Sequence, residues 1–168
     1  MAMHNALRTA LALAFLAVAA CDSSSQPVDP SLSGEFSVTV TTSTAAQMTG
    51  YAVSSGQAGV GWSMTFITPG GDSGMLWVTE GMGRPDPGTY TIIDFVASDA
   101  SPGPGEFIAT VNMEGTSHDL QSVTGTLTIT SSTAEAVSGH FRFSGLRNDA
   151  TPQTGTVEGT FTTVNRDQ

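Results

Sequence analysis

After Cys21, apolar and polar residues alternate with a period of two nearly to the end of the chain. This alternation places apolar side chains on one face of a β-strand and polar side chains on the other, and no segment shows a comparable helical period. Turns rich in Pro and Gly separate the alternating runs. The pattern predicts nine strands, at Gly34–Thr42, Gln47–Ser54, Val60–Thr68, Gly74–Glu80, Thr89–Ala97, Glu106–Glu114, Ser122–Ser131, Ala136–Ser144 and Gly155–Val164.

Four of these runs repeat one motif, which reads apolar, x, Gly, x, aromatic or aliphatic, x, apolar. The copies are Leu32–Val38, Val123–Ile129, Val137–Phe143 and Val157–Phe161. Residues two apart share a face of a strand, so each copy points its apolar residues and its glycine inward. An inward glycine indicates a bend, a bulge or a gap filled by a neighbouring aromatic ring.

These features predict an all-β fold for residues 32–168, about 137 residues that form one domain. We expect a single antiparallel β-sandwich or a flattened up-and-down barrel of about 8–10 strands. The short connections between the last three strands predict a meander.

The first twenty residues, Met1 to Ala20, have the character of a secretory signal, with a weakly basic start and a short apolar run. The run is too short to span a bilayer. The sequence Val18-Ala19-Ala20-Cys21 is similar to a bacterial lipobox, in which the cysteine is lipidated and becomes the new N-terminus. Cys21 is therefore the predicted lipidation site, and residues 21–31, rich in Ser and Pro, are predicted to form a flexible tether.

The charge balance limits the classes of partner. The formal net charge is −10, and the chain has no lysine. Without residues 1–20 the balance becomes −11, from four arginines and fifteen acidic residues. Nucleic-acid binding requires clustered Lys and Arg, so we expect none. The single cysteine excludes an internal disulfide.

Catalytic and metal-binding motifs are weak in this sequence. The tetrapeptide Gly71–Gly74 reads Gly-Asp-Ser-Gly, as around the nucleophile of chymotrypsin-like proteases, but the only histidine before it is His4, in the signal. A turn accounts for the segment better. We expect His118 and His140 to be solvated surface residues rather than zinc ligands. We therefore predict no catalytic residue, no metal site and no cofactor.

The middle strands are apolar on both faces, in Met75–Val78 and again around Ile92–Val96. This composition is typical of strands covered on both sides, and equally of a partly exposed apolar patch that binds a partner. The candidate binding surface consists of Met75, Trp77, Ile92 and Phe95. Asp94 lies within this run, and if its face is buried it needs a partner such as Arg84 or a backbone amide.

The end of the chain, with Val137–Ser144 followed by Val157–Phe161, resembles small bacterial lipoproteins of uncharacterised function. In these proteins, strands of the form SGxFxF and xGxF close an all-β domain. Pro87–Ile92 is similar to their GTY strand start. The resemblance covers roughly the last 80 residues; it implies a fold and a lipoprotein character, and it carries over no catalytic residue.

We therefore expect a non-enzymatic binding or structural module of the bacterial cell envelope, anchored to a membrane by its N-terminal lipid, with the choice of inner or outer membrane left open. Its partner would be an envelope protein or an apolar small molecule. The alternative is a carrier of small apolar ligands resembling a calycin barrel. The two differ in whether the inward aromatic residues fill the interior: Trp62, Phe66, Trp77, Phe107, Phe141 and Phe161.

Overall fold

The computed structural model describes residues 34–57, 59–69, 73–80, 82–97, 102–113, 119–147 and 152–165, with the backbone alone for 73–80. The predicted signal, the tether, Cys21, Leu32 and His118 lie outside these residues. Within them the fold is all-β, as predicted. The strands are β1 (Gly34–Thr41), β2 (Ala45–Gln57), β3 (Gly61–Ile67), β4 (Ser73–Glu80), β5 (Gly88–Ile92), β6 (Glu106–Met113), β7 (Leu120–Ser132), β8 (Ala136–Arg147) and β9 (Gln153–Asn165).

The nine strands pair in one ring, which closes into a barrel where β1 pairs with β9. Closure leaves the paired strands without a free edge. Consecutive strands pair antiparallel from β1 to β4, and β7, β8 and β9 form the predicted meander.

The strand order departs from a strict up-and-down barrel at β5, which lies between β6 and β7. There β5 runs parallel to β6, at Thr91↔Glu106 and Ile92↔Phe107. A second short parallel pairing joins β2 to β9, at Val53↔Val164, where both strands extend past the start of β1. The β2–β9 pairing arises where the later start of β1 leaves its two neighbours to pair with each other. In the same way β6 and β7, the neighbours of the short β5, pair directly past its end, antiparallel, at Thr110↔Gln121 and Val111↔Leu120.

Inward glycines occupy close contacts between strands, as the repeated motif predicts. A Cβ added to Gly139 would lie 2.2 Å from the backbone oxygen of Thr128 and 3.0 Å from Cζ of Phe161. One added to Gly50 would lie 3.0 Å from a ring carbon of Phe36. Glycine at these positions therefore lets an aromatic ring and a neighbouring backbone approach the strand, which allows the wall to curve.

One copy of the motif departs from its predicted orientation. The register of β7 against β8 shifts between Ser122 and Thr124, so Val123 is an extra residue in a β-bulge. A bulge changes the direction of side chains around it. Val123 is 37% exposed and points outward, whereas the motif predicts it inside.

Strand β5 is shorter than predicted, because it ends at Ile92 rather than Ala97. Asp94 accounts for the difference. Its Oδ1 accepts hydrogen bonds from the backbone amides of Val96 and Ala97, both at 2.8 Å, which holds a turn where alternation predicts that the strand continues. Asp94 is half-buried rather than buried, and backbone amides, one of the two kinds of partner considered for it, do bind its carboxylate.

The barrel has two ends, which we name by one residue each. At the Gly34 end lie the start of β1, the β2–β3 turn (59–60), the β7–β8 turn (133–135) and the last residue of β9. At the Ser43 end lie the β1–β2 turn (42–44) and the end of β8. The part of the chain described here contains no helix that could cross a lipid bilayer.

Candidate binding groove

Aromatic rings fill the described interior of the barrel. Phe66 is fully buried, and its ring centroid lies 4.8 Å from that of Phe36, 5.9 Å from Phe141 and 6.1 Å from Phe161. A second group joins Phe107 to Trp62, at 6.1 Å, and to Tyr90, at 5.4 Å. Edge-on and tilted contacts of this kind stabilise a core beyond the burial of area.

This packing bears on the carrier interpretation. A carrier needs an internal cavity of a few hundred cubic ångströms, as ligand pockets commonly span about 300–1,000 Å³. Of the six inward aromatics named for this comparison, five are at most 4% exposed and pack together; the sixth, Trp77, has its side chain outside the described residues. The described interior therefore gives the carrier interpretation no support.

The gap between β6 and β7 is bridged by one buried side chain rather than by a continuous ladder. Ser122 is 1% exposed. Its Oγ donates to the carbonyl oxygen of Ile93 at 2.7 Å and accepts from the amide of Ala109 at 3.1 Å. Its own carbonyl accepts from the amide of Phe95 at 2.9 Å. Buried polar backbone groups need such partners, so Ser122 satisfies the backbone where β5 ends.

This bridge creates a groove on the outer face. Because the turn after β5 stands beside the β7 bulge, Val96 and Val123 come together there, 51% and 37% exposed. Leu146 of β8, opposite Gln121 in the register, completes the apolar lining, and Asp94 lies at one side. The groove has a volume of about 210 Å³. That is below the usual range for a small-molecule pocket and suits one apolar side chain of another molecule.

The groove continues into a polar trough toward the Ser43 end. The trough shares Gln121 and Leu146 with the groove and is further lined by Asn112, Asp119 and Arg147. Asp119 Oδ1 accepts the amide of Met113 at 3.0 Å, which fixes its carboxylate at the end of β6. The site therefore presents an apolar groove with Asp94 at its side, next to a trough that carries one acidic side chain, Asp119, and one basic side chain, Arg147.

Of the predicted surface residues, the structure brings only part to this site. Ile92 is fully buried and belongs to the core, so it is not an exposed contact residue. Phe95 is half-buried in the turn next to the groove. Met75 lies opposite Phe66 and Val111 in the register, and Trp77 opposite Met64 and Ala109. The side chains of Met75 and Trp77 lie outside the described residues.

Sequence reasoning missed Val123 and Leu146 as groove residues. Strict alternation assigns Val123 to the interior, and only the one-residue bulge turns it outward. The sequence indicates only that Val96 and Leu146 are apolar. They are brought together by the ends of β5 and β8, which alternation alone does not specify.

The described titratable groups are spread over the outer face. His140 is exposed, and the pair Arg142 Nε–Glu158 Oε2, at 3.7 Å, lies on side chains that are more than half exposed. Within the described ranges no group of three or more His, Cys, Asp or Glu side chains converges in a way that could hold a metal ion. Gly71 and Asp72 of the protease-like tetrapeptide lie outside those ranges, and Ser73 and Gly74 begin β4.

One tyrosine has a perturbed hydroxyl. Partial burial raises the pKa of Tyr90 above its ordinary value, and the nearby Asp86 carboxylate raises it further. The hydroxyl donates to the backbone oxygen of Asp86 at 2.6 Å, a bond that only the protonated phenol can make. The phenol therefore anchors the segment before β5 to its strand in protonated form.

Comparisons of the chain with protein-family models, with curated proteins and with solved structures found no match.

Proposed function

We propose that this chain is a lipid-anchored protein of the bacterial cell envelope, attached through Cys21, and that it acts as a non-enzymatic binding or structural module. The proposal rests on one observation above all: the only cysteine of the chain follows directly after the small pair Ala19-Ala20 and an apolar run. The resemblance of the last 80 residues to small bacterial lipoproteins supports the same interpretation.

The described surface is consistent with a module that binds or shields. The outward residues of β7, β8 and β9 are mostly threonine and serine, and the hydroxyls of Ser138 and Thr162 pair with each other at 3.1 Å. The groove at Val96, Val123 and Leu146 offers room for one apolar side chain. We propose that the partner is an envelope protein that places such a side chain there. The contact would be weak, because one side chain buries far less area than the roughly 1,200–2,000 Å² of a stable interface.

The anchor is tested by metabolic labelling with a radioactive or clickable fatty acid in a bacterial host, using the full chain and Cys21→Ser. We expect label on the parent chain, none on Cys21→Ser, and loss of the variant from the membrane fraction. Ser24→Ala serves as the matched control and should label like the parent. Equal labelling of parent and Cys21→Ser would overturn the proposal.

The binding role is tested with the lipidated chain bearing a photo-crosslinker at Gln121, beside the groove. Crosslinking to one envelope protein that weakens several-fold in Val123→Asp, and persists in the control Thr126→Asp on the same strand, is the expected result. If no adduct depends on Val123, the groove has no such partner.

A further inference from the structure

We infer that the Gly34 end of the barrel faces the lipid surface and that the β2–β3 turn, with Val60 at its tip, rests on it. This inference rests on the proposed anchor at Cys21 and adds the orientation of the domain. Three observations carry it: where the chain enters the barrel, how far β2 and β3 extend past that point, and which apolar side chain stands there.

The chain enters the described barrel at Gly34, and this position is recessed. In the register Gly34 lies opposite Ala52, whereas β2 continues five residues further, to Gln57. At about 3.3 Å per residue, the β2–β3 hairpin projects roughly 17 Å past the start of β1 along the strand direction. The turn of this hairpin is therefore the part of β2 and β3 that points back toward the N-terminal side of the chain.

The length of chain before Gly34 matches this projection. Twelve residues, 22–33, separate Cys21 from Gly34. A coil of that length has a root-mean-square span of about 20 Å and a maximum reach of about 40 Å. The roughly 17 Å projection of the hairpin is within this span, so a lipid on Cys21 can reach the height of the hairpin tip without stretching the segment.

The opposite orientation is costly. To bring the Ser43 end to the lipid surface, the same twelve residues would have to run back along β1. The eight residues of β1 span about 26 Å, which would use most of the available reach and leave the tether few conformations.

The tip itself is apolar. Val60 is 65% exposed, the highest value among the large hydrophobic residues for which the structure gives exposure. It stands between Gly59 and Gly61, whose φ angles of 81° and 142° belong to a tight turn that other residues rarely adopt. A single exposed valine is ordinary on a protein surface, but here it lies where the tether length places the bilayer.

The charges at the Gly34 end determine which type of lipid surface this end can contact. Asp86 and Glu135 are exposed at the Gly34 end, in the segment before β5 and in the β7–β8 turn, with Arg84 nearby. An excess of acid repels anionic headgroups, so the contact suits a zwitterionic surface. In this orientation the groove, close to the start of β7 and the end of β8, points away from the membrane.

The test uses the absence of any other cysteine. In the lipidated full chain the Cys21 thiol is occupied, so Val60→Cys or Ser43→Cys provides a single site for an environment-sensitive fluorophore. Each labelled protein is inserted into phosphatidylcholine vesicles carrying a nitroxide-labelled headgroup. We expect the label at residue 60 to be quenched several-fold more strongly than the label at residue 43.

The outcomes separate the two proposals. Equal quenching at both sites, or stronger quenching at residue 43, in protein that carries lipid on Cys21 would overturn the orientation and leave the anchor standing. Absence of lipid on Cys21 would overturn the anchor, and the orientation with it. Replacing one fifth of the phosphatidylcholine with an anionic lipid should reduce quenching at residue 60, and an increase would contradict the charge argument.

Discussion

Two parts of the barrel are held together in different ways. In the wall, formed by β8, β9, β1 and β2, long antiparallel ladders run almost without interruption; β8 and β9 pair from Ala136↔Val164 to Arg147↔Gln153. In the seam, formed by β6, β5 with the turn that follows it, and the first half of β7, the described pairing of β6 with β7 is confined to Thr110↔Gln121 and Val111↔Leu120. The wall is closed by long backbone ladders, whereas the seam combines short ladders with the side-chain hydrogen bonds of Ser122 and Asp94.

The two regions differ in the interactions that determine their structure. In the wall, inward glycines and aromatic rings fit together, and each ladder bond supports the next. In the seam, Ser122 and Asp94 satisfy the backbone groups that a short β5 leaves behind. The candidate groove lies on the seam, because only there does an interrupted ladder in the described barrel leave apolar side chains outside.

The largest effect is expected from Phe66→Ala, which removes the ring that contacts Phe36, Phe141 and Phe161 in the interior behind the wall. Loss of a buried phenylalanine leaves a cavity and lowers the free energy of unfolding by about 4 kcal/mol. Urea denaturation measures it. Phe95→Ala, in the half-buried turn of the seam, is the control. A loss as large from Phe95 would show that the two regions do not differ in packing.

A smaller but sharper contrast is expected between two glycines. Gly139→Ala places a methyl group against the backbone of Thr128 and the ring of Phe161, which should lower the free energy of unfolding by about 2 kcal/mol. Gly88→Ala, on β5 of the seam, meets nothing closer than 3.8 Å and should change stability by less than about 0.5 kcal/mol. Thermal unfolding of both variants makes the comparison. Similar values would contradict close packing as the role of the wall glycine.

The seam is broken most directly by Ser122→Ala. The amide of Ala109 and the carbonyl of Ile93 would then be buried without their partner, at a cost of about 2 kcal/mol. Amide hydrogen exchange should accelerate at Ala109 and Phe95 and stay unchanged in β8 and β9. The control is Ser138→Ala, whose hydroxyl pairs with Thr162 on the outer wall. If exchange at Ala109 were unaffected, the bridge would not hold the seam.

The smallest effect concerns Tyr90, on β5 of the seam. Its pKa is raised in the folded chain, so the folded state holds the phenolic proton more tightly than the unfolded state. This contribution is complete below the ordinary tyrosine pKa of about 10 and is lost as the pH rises through the folded value. Free energies of unfolding measured at about pH 9 and pH 11 should therefore fall less in Tyr90→Phe than in the parent. An identical decrease in the free energy of unfolding of both proteins would show that Tyr90 does not contribute to this pH dependence.

The same contrast explains what can be predicted from the sequence. Alternation places each of the nine strands, and in the wall the inward set Val137, Phe141 and Phe143 is buried as predicted. In the seam, alternation fails twice. It extends β5 through Asp94, because in the sequence a carboxylate that caps a turn looks like any other polar residue. It also directs Val123 inward, because a bulge adds one residue to the strand and no sequence pattern marks it.

The candidate site is therefore only partly accessible to sequence reasoning. The sequence predicts an apolar surface near Phe95, but Ile92 belongs to the core, and Leu146 reaches the groove from a strand about fifty residues later in the chain. Which residues of β5, β7 and β8 meet depends on the order β6–β5–β7, which exchanges two strands relative to the chain. That exchange depends on the pairing of β5 with β7, whose residues lie far apart in the chain.

The recessed start of β1 has a mechanical consequence. β1 is hydrogen-bonded on both sides, to β2 and to β9, and antiparallel to both. A pull applied ahead of Gly34 and in line with β1 loads these bonds together in shear, whereas a sideways pull would open them one after another. Force transmitted from the N-terminal side along the strand would thus meet the barrel where it resists extension best.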